Sequence, residues 1–250
     1  MNGRSGIGAS IRMTGVFDLA LSEVIVRLLE TGDEVVDVGA NIGYVSALAS
    51  RCVGQQGKVV SFEPNSSLLP QLRWNVDSRL NNVSVDDIAL GATEGLIELM
   101  LPPELEQNEG LAHIRRSEAD VGDAQTVRMR TYDDAIGLRR VKLLKIDVEG
   151  YELQVLRGAL RAIASRAITN ILFEDHRGDG GEAAVFLAER GYTLFSIGWT
   201  ITGLAIQPIS GGRLAAAYEA PNYLATLAPA EALSRCKPRG WRSLRVVPIA

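Results

Sequence analysis

Acidic residues at the ends of apolar runs are the part of this chain that could do chemistry. The run at residues 34–38 contains Asp37 and leads into a turn with two glycines. Glycine lets a backbone approach a ligand closely, and a carboxylate among apolar residues needs a polar partner. We therefore expect this turn to bind a ligand through Asp37, Gly39, Ala40, Asn41 and Gly43.

The spacing of the glycines separates two classes of ligand. A dinucleotide loop follows the pattern GxGxxG, but Asn41 and Tyr44 occupy the second and third glycine positions here. The pattern DxGxNxG at residues 37–43 instead resembles motif I of class I methyltransferases that use S-adenosylmethionine (SAM). On that resemblance, the acid and the turn hold the amino-acid end of a cationic sulfonium cofactor. A plain packing loop can also show two glycines at this spacing.

A second acid, Glu63, ends the apolar run at residues 58–63. In dinucleotide- and SAM-binding folds, an acid at the tip of the next parallel strand accepts hydrogen bonds from both ribose hydroxyls. The following turn contains Pro64 and Asn65, so we assign Glu63, Pro64 and Asn65 to the cofactor. The alternative is that Glu63 only begins a turn.

The next predicted strand, residues 83–88, ends where adenine lies in this fold. Asp87 could accept a hydrogen bond from the exocyclic amine, while Ile88 and Ala89 could meet the ring through backbone and apolar contacts. Asp86 is adjacent, so the pattern does not choose between the two acids. A solvated turn also fits these residues.

Two later segments repeat the arrangement of a strand that ends in acids. Asp147 and Glu149 follow the apolar run 143–146, and Glu174 and His176 follow the run 170–173. The carboxyl ends of parallel strands form the edge where open α/β sheets bind ligands. Unpaired buried carboxylates are costly. Acids at successive strand ends therefore indicate one binding crevice.

Three segments together identify a family. DVGANIG at 37–43, KIDVEGYE at 145–152 and FEDH at 173–176 closely resemble the FkbM family of SAM-dependent methyltransferases. The resemblance covers about residues 14–229. It implies an α/β fold with a doubly wound, Rossmann-like, seven-stranded and mostly parallel sheet, with helices on both faces. It also implies O-methylation of a sugar, polyketide or other secondary metabolite, with S-adenosylhomocysteine as product.

His176 is our candidate base for the acceptor hydroxyl, because the ordinary histidine pKa of about 6.5 suits proton transfer near neutral pH. Asp147, Glu149 and Glu174 are expected to orient the acceptor or the cofactor. Two alternatives stay open. His176 could be a structural turn residue, or it could join Asp147, Glu174 and Asp175 around a divalent ion. We assign no metal.

The composition sets further limits. The chain has 250 residues, of which 46% are apolar and 22% charged, and this is ordinary for one α/β domain with its own core. A net charge of −4 offers no basic field for nucleic acid. No apolar stretch is long enough to span a bilayer. We expect a cytoplasmic enzyme that acts on a small-molecule hydroxyl acceptor and has no nucleic-acid or membrane partner. A homodimer could form through an exposed sheet edge, and the sequence does not decide this.

The chain divides into three predicted segments. These are a flexible N-terminal arm at 1–15, the methyltransferase domain at 16–228 and a C-terminal tail at 229–250. Residues 102–125 form an insertion or lid loop between two added strands at 96–101 and 126–130. The loop could touch the substrate or could simply be solvated. Thr131 and Asp134 fit a capping box, which predicts a helix start there.

Other functions compete with O-methylation. An N-methyltransferase of a small amine would share the cofactor, but the N/D-P-P-Y/F pattern of such enzymes is replaced by DVEG at 147–150. The chain could also bind SAM without catalysis. A nicotinamide-dependent oxidoreductase is disfavoured by the broken glycine pattern.

Overall fold

The structure is a computed structural model, and it describes residues 15–77, 80–101, 112–115, 123–175, 181–209, 222–237 and 239–244. The helices are α1 (Leu19–Leu28), α2 (Tyr44–Val53), α3 (Leu69–Asp77), α4 (Tyr132–Ala135), α5 (Glu152–Gly158), α6 (Leu160–Ala164), α7 (Glu182–Ala188) and α8 (Pro229–Cys236). The strands are β1 (Glu34–Val38), β2 (Lys58–Phe62), β3 (Val83–Asp86), β4 (Ala89–Leu90), β5 (Gly95–Leu101), β6 (His113–Ile114), β7 (Asp123–Arg130), β8 (Val141–Ile146), β9 (Ile168–Glu174), β10 (Thr193–Thr200), β11 (Gly203–Pro208) and β12 (Asn222–Thr226).

The main sheet has eight strands in the order β11-β10-β12-β9-β8-β1-β2-β3. Neighbours from β9 to β3 are parallel, whereas β12, β10 and β11 join antiparallel. The strand order reverses between β1 and β8, and open α/β sheets bind ligands at such a point. The prediction of a doubly wound α/β sheet is confirmed. The sheet has one strand more than the expected seven, because β11 pairs with the outer edge of β10.

Helices cover both faces of this sheet. Val35 and Leu143 pack against α1, α2 and α8 in one apolar cluster. Val36 and Leu144 pack against α4, α5, α6 and α7 in the other. Successive side chains of a strand point to opposite faces. The central strands are therefore apolar on both sides, which explains their continuous β-branched and leucine-rich runs.

The spacing i, i+3, i+4, i+7, i+8 of five apolar residues predicts one face of a helix that ends at Gly32: Leu21, Val24, Ile25, Leu28 and Leu29. Helix α1 presents this face but is shorter than predicted. Leu21, Val24, Ile25 and Leu28 are buried. The helix ends at Leu28 because the next residue already has extended backbone, with ψ 148°.

A second sheet of four strands has the order β4-β7-β5-β6. The pairing of β5 with β7 confirms the prediction for residues 96–101 and 126–130. The predicted strand at 83–88 ends at Asp86, since Ala89 and Leu90 pair with β7 instead. The capping box is also confirmed, because Thr131 Oγ1 accepts a hydrogen bond from Asp134 N at 3.1 Å.

Several predicted features fall outside the described residues. They are most of the arm at 1–15, most of the loop at 102–125, and His176. The predicted tail contains α8, which packs on α1. Across the described ranges, no helix combines the length and apolarity needed to cross a bilayer.

Candidate functional site

A cavity of about 320 Å³ opens at the carboxyl ends of β1, β2, β8 and β9. Its size suits a small-molecule site. Among the residues predicted to bind or react, those that line it are Gly39, Ala40, Asn41, Glu63, Pro64, Ile88, Ala89, Asp147, Glu149 and Glu174. The acids at three separate strand ends therefore meet in one crevice, as their positions in the sequence indicated.

The glycine turn packs directly on the end of β8. Gly39 has φ 76°, in the left-handed region, and a Cβ there would overlap the backbone oxygen of Asp147. Only glycine fits this close approach without a shift of the backbone. Gly43 has φ 87° and does not line the cavity. A Cβ on Gly43 would lie 2.6 Å from Leu72 Cδ1, so this glycine allows α2 and α3 to pack.

Glu63 lies in the cavity wall with its carboxylate held by the turns on either side. Its side chain is buried, Oε2 accepts from Asn41 N at 2.8 Å, and Oε1 accepts from Asn65 N at 2.9 Å. Burial raises the pKa of Glu63, against the opposite effect of these two donors. Each oxygen keeps a further lone pair, so the carboxylate can also accept from a diol such as ribose. Asn65 itself does not line the cavity, and its Oδ1 accepts from Ser67 N.

Lys145 lies between the turn and the acids, and the sequence analysis gave it no role. Its side chain is 6% exposed, and Nζ donates to Gly39 O at 2.7 Å. The same Nζ lies 3.3 Å from Asp37 Oδ1 and 3.5 Å from Asp147 Oδ2. Burial lowers the pKa of Lys145, but the carboxylates of Asp37 and Asp147 outweigh it and the pKa is raised. A lysine within an apolar strand was the sequence signal that could have revealed this.

Asp37 lies beneath the cavity and not in its wall. The residue is fully buried, and Oδ2 accepts from Ser46 Oγ at 2.6 Å. Ser46 Oγ in turn accepts from Ser61 Oγ at 2.8 Å. These bonds and Lys145 hold the carboxylate in place. Asp37 does not line the cavity in this structure, and its direct contact with the cofactor stays a prediction.

Asp87 also lies outside the cavity. Its side chain is 49% exposed, with Oδ1 at 3.6 Å from Arg128 Nη2. The next two residues, Ile88 and Ala89, do line the cavity. Because β3 ends at Asp86, the chain turns inward only after Asp87. The contacts of Ile88 and Ala89 with adenine stay a prediction.

Asp147, Glu149 and Glu174 form an acidic wall on the other side of the cavity. Glu149 has φ 50°, a left-handed conformation that is uncommon for a residue other than glycine. Burial and the neighbouring charges of Asp147 and Glu149 raise the pKa of Glu174 to about 9. Glu174 therefore carries a proton at neutral pH. A bound cation would favour its ionised form.

The mouth of the cavity has an apolar and aromatic side that the sequence analysis did not identify. Phe17 and Tyr44 line it, and their rings meet edge to face with centroids 6.1 Å apart. The hydroxyl of Tyr44 is 2.8 Å from Ser22 Oγ. His113, from the predicted lid loop, lines the same cavity. An acceptor can thus contact an aromatic surface and the acidic wall together.

The role of His176 as base stays a prediction, because this residue lies outside the described part of the chain. Asp175 precedes it and is buried. Among the described residues, no three or more His, Cys, Asp and Glu side chains are grouped to hold a metal ion.

The charge of the cavity fits a cationic cofactor. Glu63, Asp147, Glu149 and Glu174 line it, while the charge of Lys145 is already engaged by carboxylates. Oxygen acceptors of this kind suit a sulfonium and an ammonium group, whereas phosphates would be repelled. Among these residues, Glu63 would hold the ribose, the turn at 39–41 the amino-acid end, and Ile88 and Ala89 the adenine.

Comparisons with known proteins identify the family of this chain. The family model of the methyltransferase FkbM domain matches residues 37–194. Methyltransferase 1 from Beauveria bassiana is 26% identical over 185 residues, which cover 64% of this chain and 72% of that protein. The hexuronic acid methyltransferase AglP from Haloferax volcanii is 27% identical over 168 residues, which cover 64% of this chain and 65% of that protein. The chain thus spans slightly less than two thirds of that relative.

Solved structures of methyltransferases are also similar at a distance. A SAM-dependent O-methyltransferase from Thermotoga maritima has a TM-score of 0.46 and 15% identity, over 88% of this chain and 70% of that one. Such a distant likeness does not bear on the substrate. The match at 37–194 does include the glycine turn, Glu63 and the whole acidic wall.

Proposed function

Because the chain belongs to the FkbM family of SAM-dependent methyltransferases, we propose that it methylates a hydroxyl group of a small molecule, such as a sugar, polyketide or other secondary metabolite. The observation that carries this proposal is the cavity that both Glu63 and the acidic wall line. It lies where the strand order of the sheet reverses, between β1 and β8. SAM supplies an electrophilic methyl group when bound. The protein supplies the position and the charge around it.

The main catalytic contribution expected from this chain is alignment. Holding two reactants in line is worth roughly 7–11 kcal/mol of activation free energy. The turn at 39–41 and Glu63 would fix the donor, and the acidic wall with the aromatic side would fix the acceptor oxygen. His176 as base would add about 10²–10⁴-fold. Glu174 is a poorer base near neutral pH because its raised pKa keeps it protonated.

The charges of the described cavity residues also bear on the acceptor. The acidic wall would repel an anionic acceptor and would bind a neutral polyol or a cationic amine. We therefore favour a neutral hydroxyl acceptor, unlike the hexuronic acid in the name of the Haloferax volcanii relative. Methylation of a small amine is the second candidate, because Asp147 and Glu149 could bind an ammonium group. Binding of SAM without catalysis is the third.

Calorimetry with SAM tests the cofactor assignment. Glu63→Gln keeps the shape of the side chain but removes the charge, so we expect about 10–100-fold weaker binding, as for lost hydrogen bonds to a charged group. Glu94→Gln is the matched control, because Glu94 is 63% exposed on the surface. Equal affinity of Glu63→Gln and Glu94→Gln would contradict the assignment.

A mass-shift screen with labelled SAM tests the reaction. Neutral sugars, polyketides, uronic acids and small amines are offered separately, and methylated products are detected. We expect O-methylated neutral products, and His176→Ala should lower turnover far more than SAM affinity. Methylation of amines alone would overturn the O-directed proposal. Tight SAM binding with no product from any class would support a non-catalytic protein.

A further inference from the structure

The hairpin at the outer edge of the main sheet has an exposed apolar tip. Two residues, Ile201 and Thr202, join β10 to β11. Ile201 is 96% exposed and Trp199 is 42% exposed. Two-residue hairpin turns favour Gly, Asn and Asp, so the geometry of the turn does not explain an isoleucine. Its exposure also means that Ile201 contributes little to the core.

The segment that follows α8 is basic in an acidic protein. Residues 237–250 contain four Lys and Arg residues and no Asp or Glu, although the whole chain has a net charge of −4. Lys237, Arg239 and Arg242 are exposed. None of these three makes an ion pair with any part of the chain that the structure describes, whereas Arg235 is paired to Glu30 and Glu231. Three positive charges thus face solvent together.

A buried ion pair on α1 fixes this basic segment. Glu23 and Arg27 have fully buried side chains, with 2.6 Å between Glu23 Oε1 and Arg27 Nε. Arg27 also donates to Arg235 O at 3.2 Å and to Gly240 O at 2.9 Å. A buried ion pair is costly unless further hydrogen bonds complete it.

Glu23 completes the same arrangement. Its carboxylate accepts from Arg242 N and from Ser243 N, both at 2.8 Å. The two buried charged groups thus make their remaining hydrogen bonds to the backbone of four residues of this segment, which are 235, 240, 242 and 243. This irregular segment is therefore held in a defined place against α1.

The same segment is joined to the hairpin tip. Gly240 N donates to Thr202 O at 3.0 Å, and Gly240 forms a β-bridge with Gly203. A Cβ on Gly203 would lie 3.1 Å from Gly240 N, so the two backbones are in close contact. Residues 199–203, 237 and 239–244 therefore form one surface, which we call the tip surface.

The tip surface lies at the same end of the strands as the cavity, which is the carboxyl end of β8 and β9. Tyr223 pairs with both Phe173 of β9 and Ser196 of β10. Strand β10 is parallel to β9. It continues for four residues beyond Ser196, to Thr200, and these residues add about 13 Å to its length. The tip thus projects past the edge that carries Glu174.

We propose that the tip surface binds the surface of an anionic lipid bilayer. Ile201 and Trp199 would enter the headgroup region, and Lys237, Arg239 and Arg242 would contact the anionic headgroups. Apolar burial and electrostatic attraction act together in such peripheral binding. No long apolar run is required, so the composition is compatible with it, although we expected no membrane partner from the sequence. The proposal does not depend on the acceptor.

A bilayer fits these observations better than an acidic protein does. A stable protein interface buries roughly 800 Å² on each partner against a complementary face. The apolar part here is a single protruding tip with cations beside it. A fluid interface can close around such a tip, and its anionic headgroups complement the cations.

Vesicle co-sedimentation of the full chain tests the proposal. The probes are phosphatidylcholine vesicles with and without phosphatidylserine, at low and at physiological salt. We expect at least about tenfold tighter binding to the anionic vesicles, since each cation near the surface is worth about fivefold. Added salt should weaken the binding. Absence of binding to anionic vesicles at low salt would overturn the proposal.

Two sets of matched variants separate charge from apolar contact. The triple variant Lys237→Gln, Arg239→Gln, Arg242→Gln should bind about a hundredfold more weakly, three times the effect of one cation on a logarithmic scale. The control triple variant is Arg51→Gln, Lys58→Gln, Arg73→Gln, which removes the same charge from other exposed positions. Equal losses in both triple variants would show a general charge effect and would overturn the proposal.

Ile201→Ser tests the apolar part and should weaken binding about tenfold, as expected when a large apolar side chain no longer leaves water. Leu96→Ser is the control, because Leu96 is 72% exposed on β5. Unchanged binding of Ile201→Ser, together with competition by soluble polyglutamate, would indicate an acidic macromolecule and overturn the bilayer. SAM affinity of all tip variants should equal that of the unchanged protein, which confirms that they are folded.

Discussion

The two sides of the cavity differ in how far the protein itself satisfies their charges. On the turn side, Lys145 neutralises the buried Asp37 and donates to Gly39 O, while Glu63 accepts from two backbone N–H groups. On the acidic wall, the carboxylates face one another, and this contributes to the raised pKa of Glu174. The turn side is thus complete before a ligand binds, whereas the charge of the acidic wall depends on the ligand and on pH.

This difference separates two contributions of the site: the turn side contributes to stability, and the acidic wall contributes to function. The buried polar network under the turn holds the turn in place, so its loss should first be visible as unfolding. The acidic wall stores unfavourable charge interactions that a cation can relieve. Substitutions that remove a charge from the acidic wall should therefore stabilise the free protein and weaken its function. Three substitutions test this contrast.

Lys145→Met should have the largest effect on stability. It leaves the carboxylate of Asp37 buried without a compensating charge, and breaking such a pair costs about 3–5 kcal/mol. The free energy of unfolding in urea measures this loss. SAM affinity should fall as well, because Gly39 O loses its donor.

Lys142→Met is the control for that prediction. Lys142 lies on the same strand, and its Nζ is 2.9 Å from Oε1 of the partly exposed Glu231. An ion pair near the surface is worth about 1 kcal/mol or less. If the two lysine variants lose equal stability, the buried network is not the support of the turn.

Gly39→Ala should destabilise the protein by about 1–3 kcal/mol more than Gly137→Ala, because overpacking adds to the conformational cost. Both glycines have left-handed backbone, with φ 76° and φ 74°. A Cβ on Gly137 meets nothing within 4 Å, so that variant carries only the conformational cost of about 1 kcal/mol. At Gly39 the Cβ also overlaps the end of β8. Thermal unfolding and SAM calorimetry on both variants compare the two costs, and similar values would argue against close packing of the turn.

Glu174→Gln should have the smallest effect, and in the stabilising direction. The pKa of Glu174 is raised from 4.5 to about 9 in the folded protein. Between these values only the folded state keeps the proton, so this group's stabilising contribution is complete below pH 4.5 and is lost as pH rises towards 9. Glutamine does not titrate, so the Glu174→Gln variant does not lose this stability as pH rises. Near pH 8 it should be more stable by at least about 1 kcal/mol, the equivalent of nearly one pKa unit.

Urea unfolding at about pH 5 and about pH 8 measures this difference, with Glu94→Gln as the exposed control. The gain from Glu174→Gln should shrink at the lower pH, because the unfolded carboxyl is then partly protonated too. A gain that is independent of pH would contradict the raised pKa. Product formation should nevertheless decrease, since the acidic wall loses a charge that a cationic ligand would use.

Elements that depend on residues close together in the sequence could be predicted from it. The apolar face of α1, the pairing of β5 with β7 and the Thr131 cap followed from periodicity and local turn chemistry. The eighth strand did not, because the weak pattern after Thr200 does not show that β11 pairs with β10. The predicted strand at 83–88 was too long for a similar reason, since the two residues directly after it, Ala89 and Leu90, pair with β7 and the chain leaves β3 before them.

The amino-acid sequence by itself determined that acids gather near the ends of buried strands, because burial on both faces makes an unpaired polar residue costly within a strand. From this followed the parallel sheet and the cofactor edge. Only the tertiary structure decided that Asp37 lies beneath the cavity, that Lys145 reaches Gly39, and that Phe17 and Tyr44 form the mouth. Periodicity records which face of an element is buried, but it does not record which distant residue that face meets.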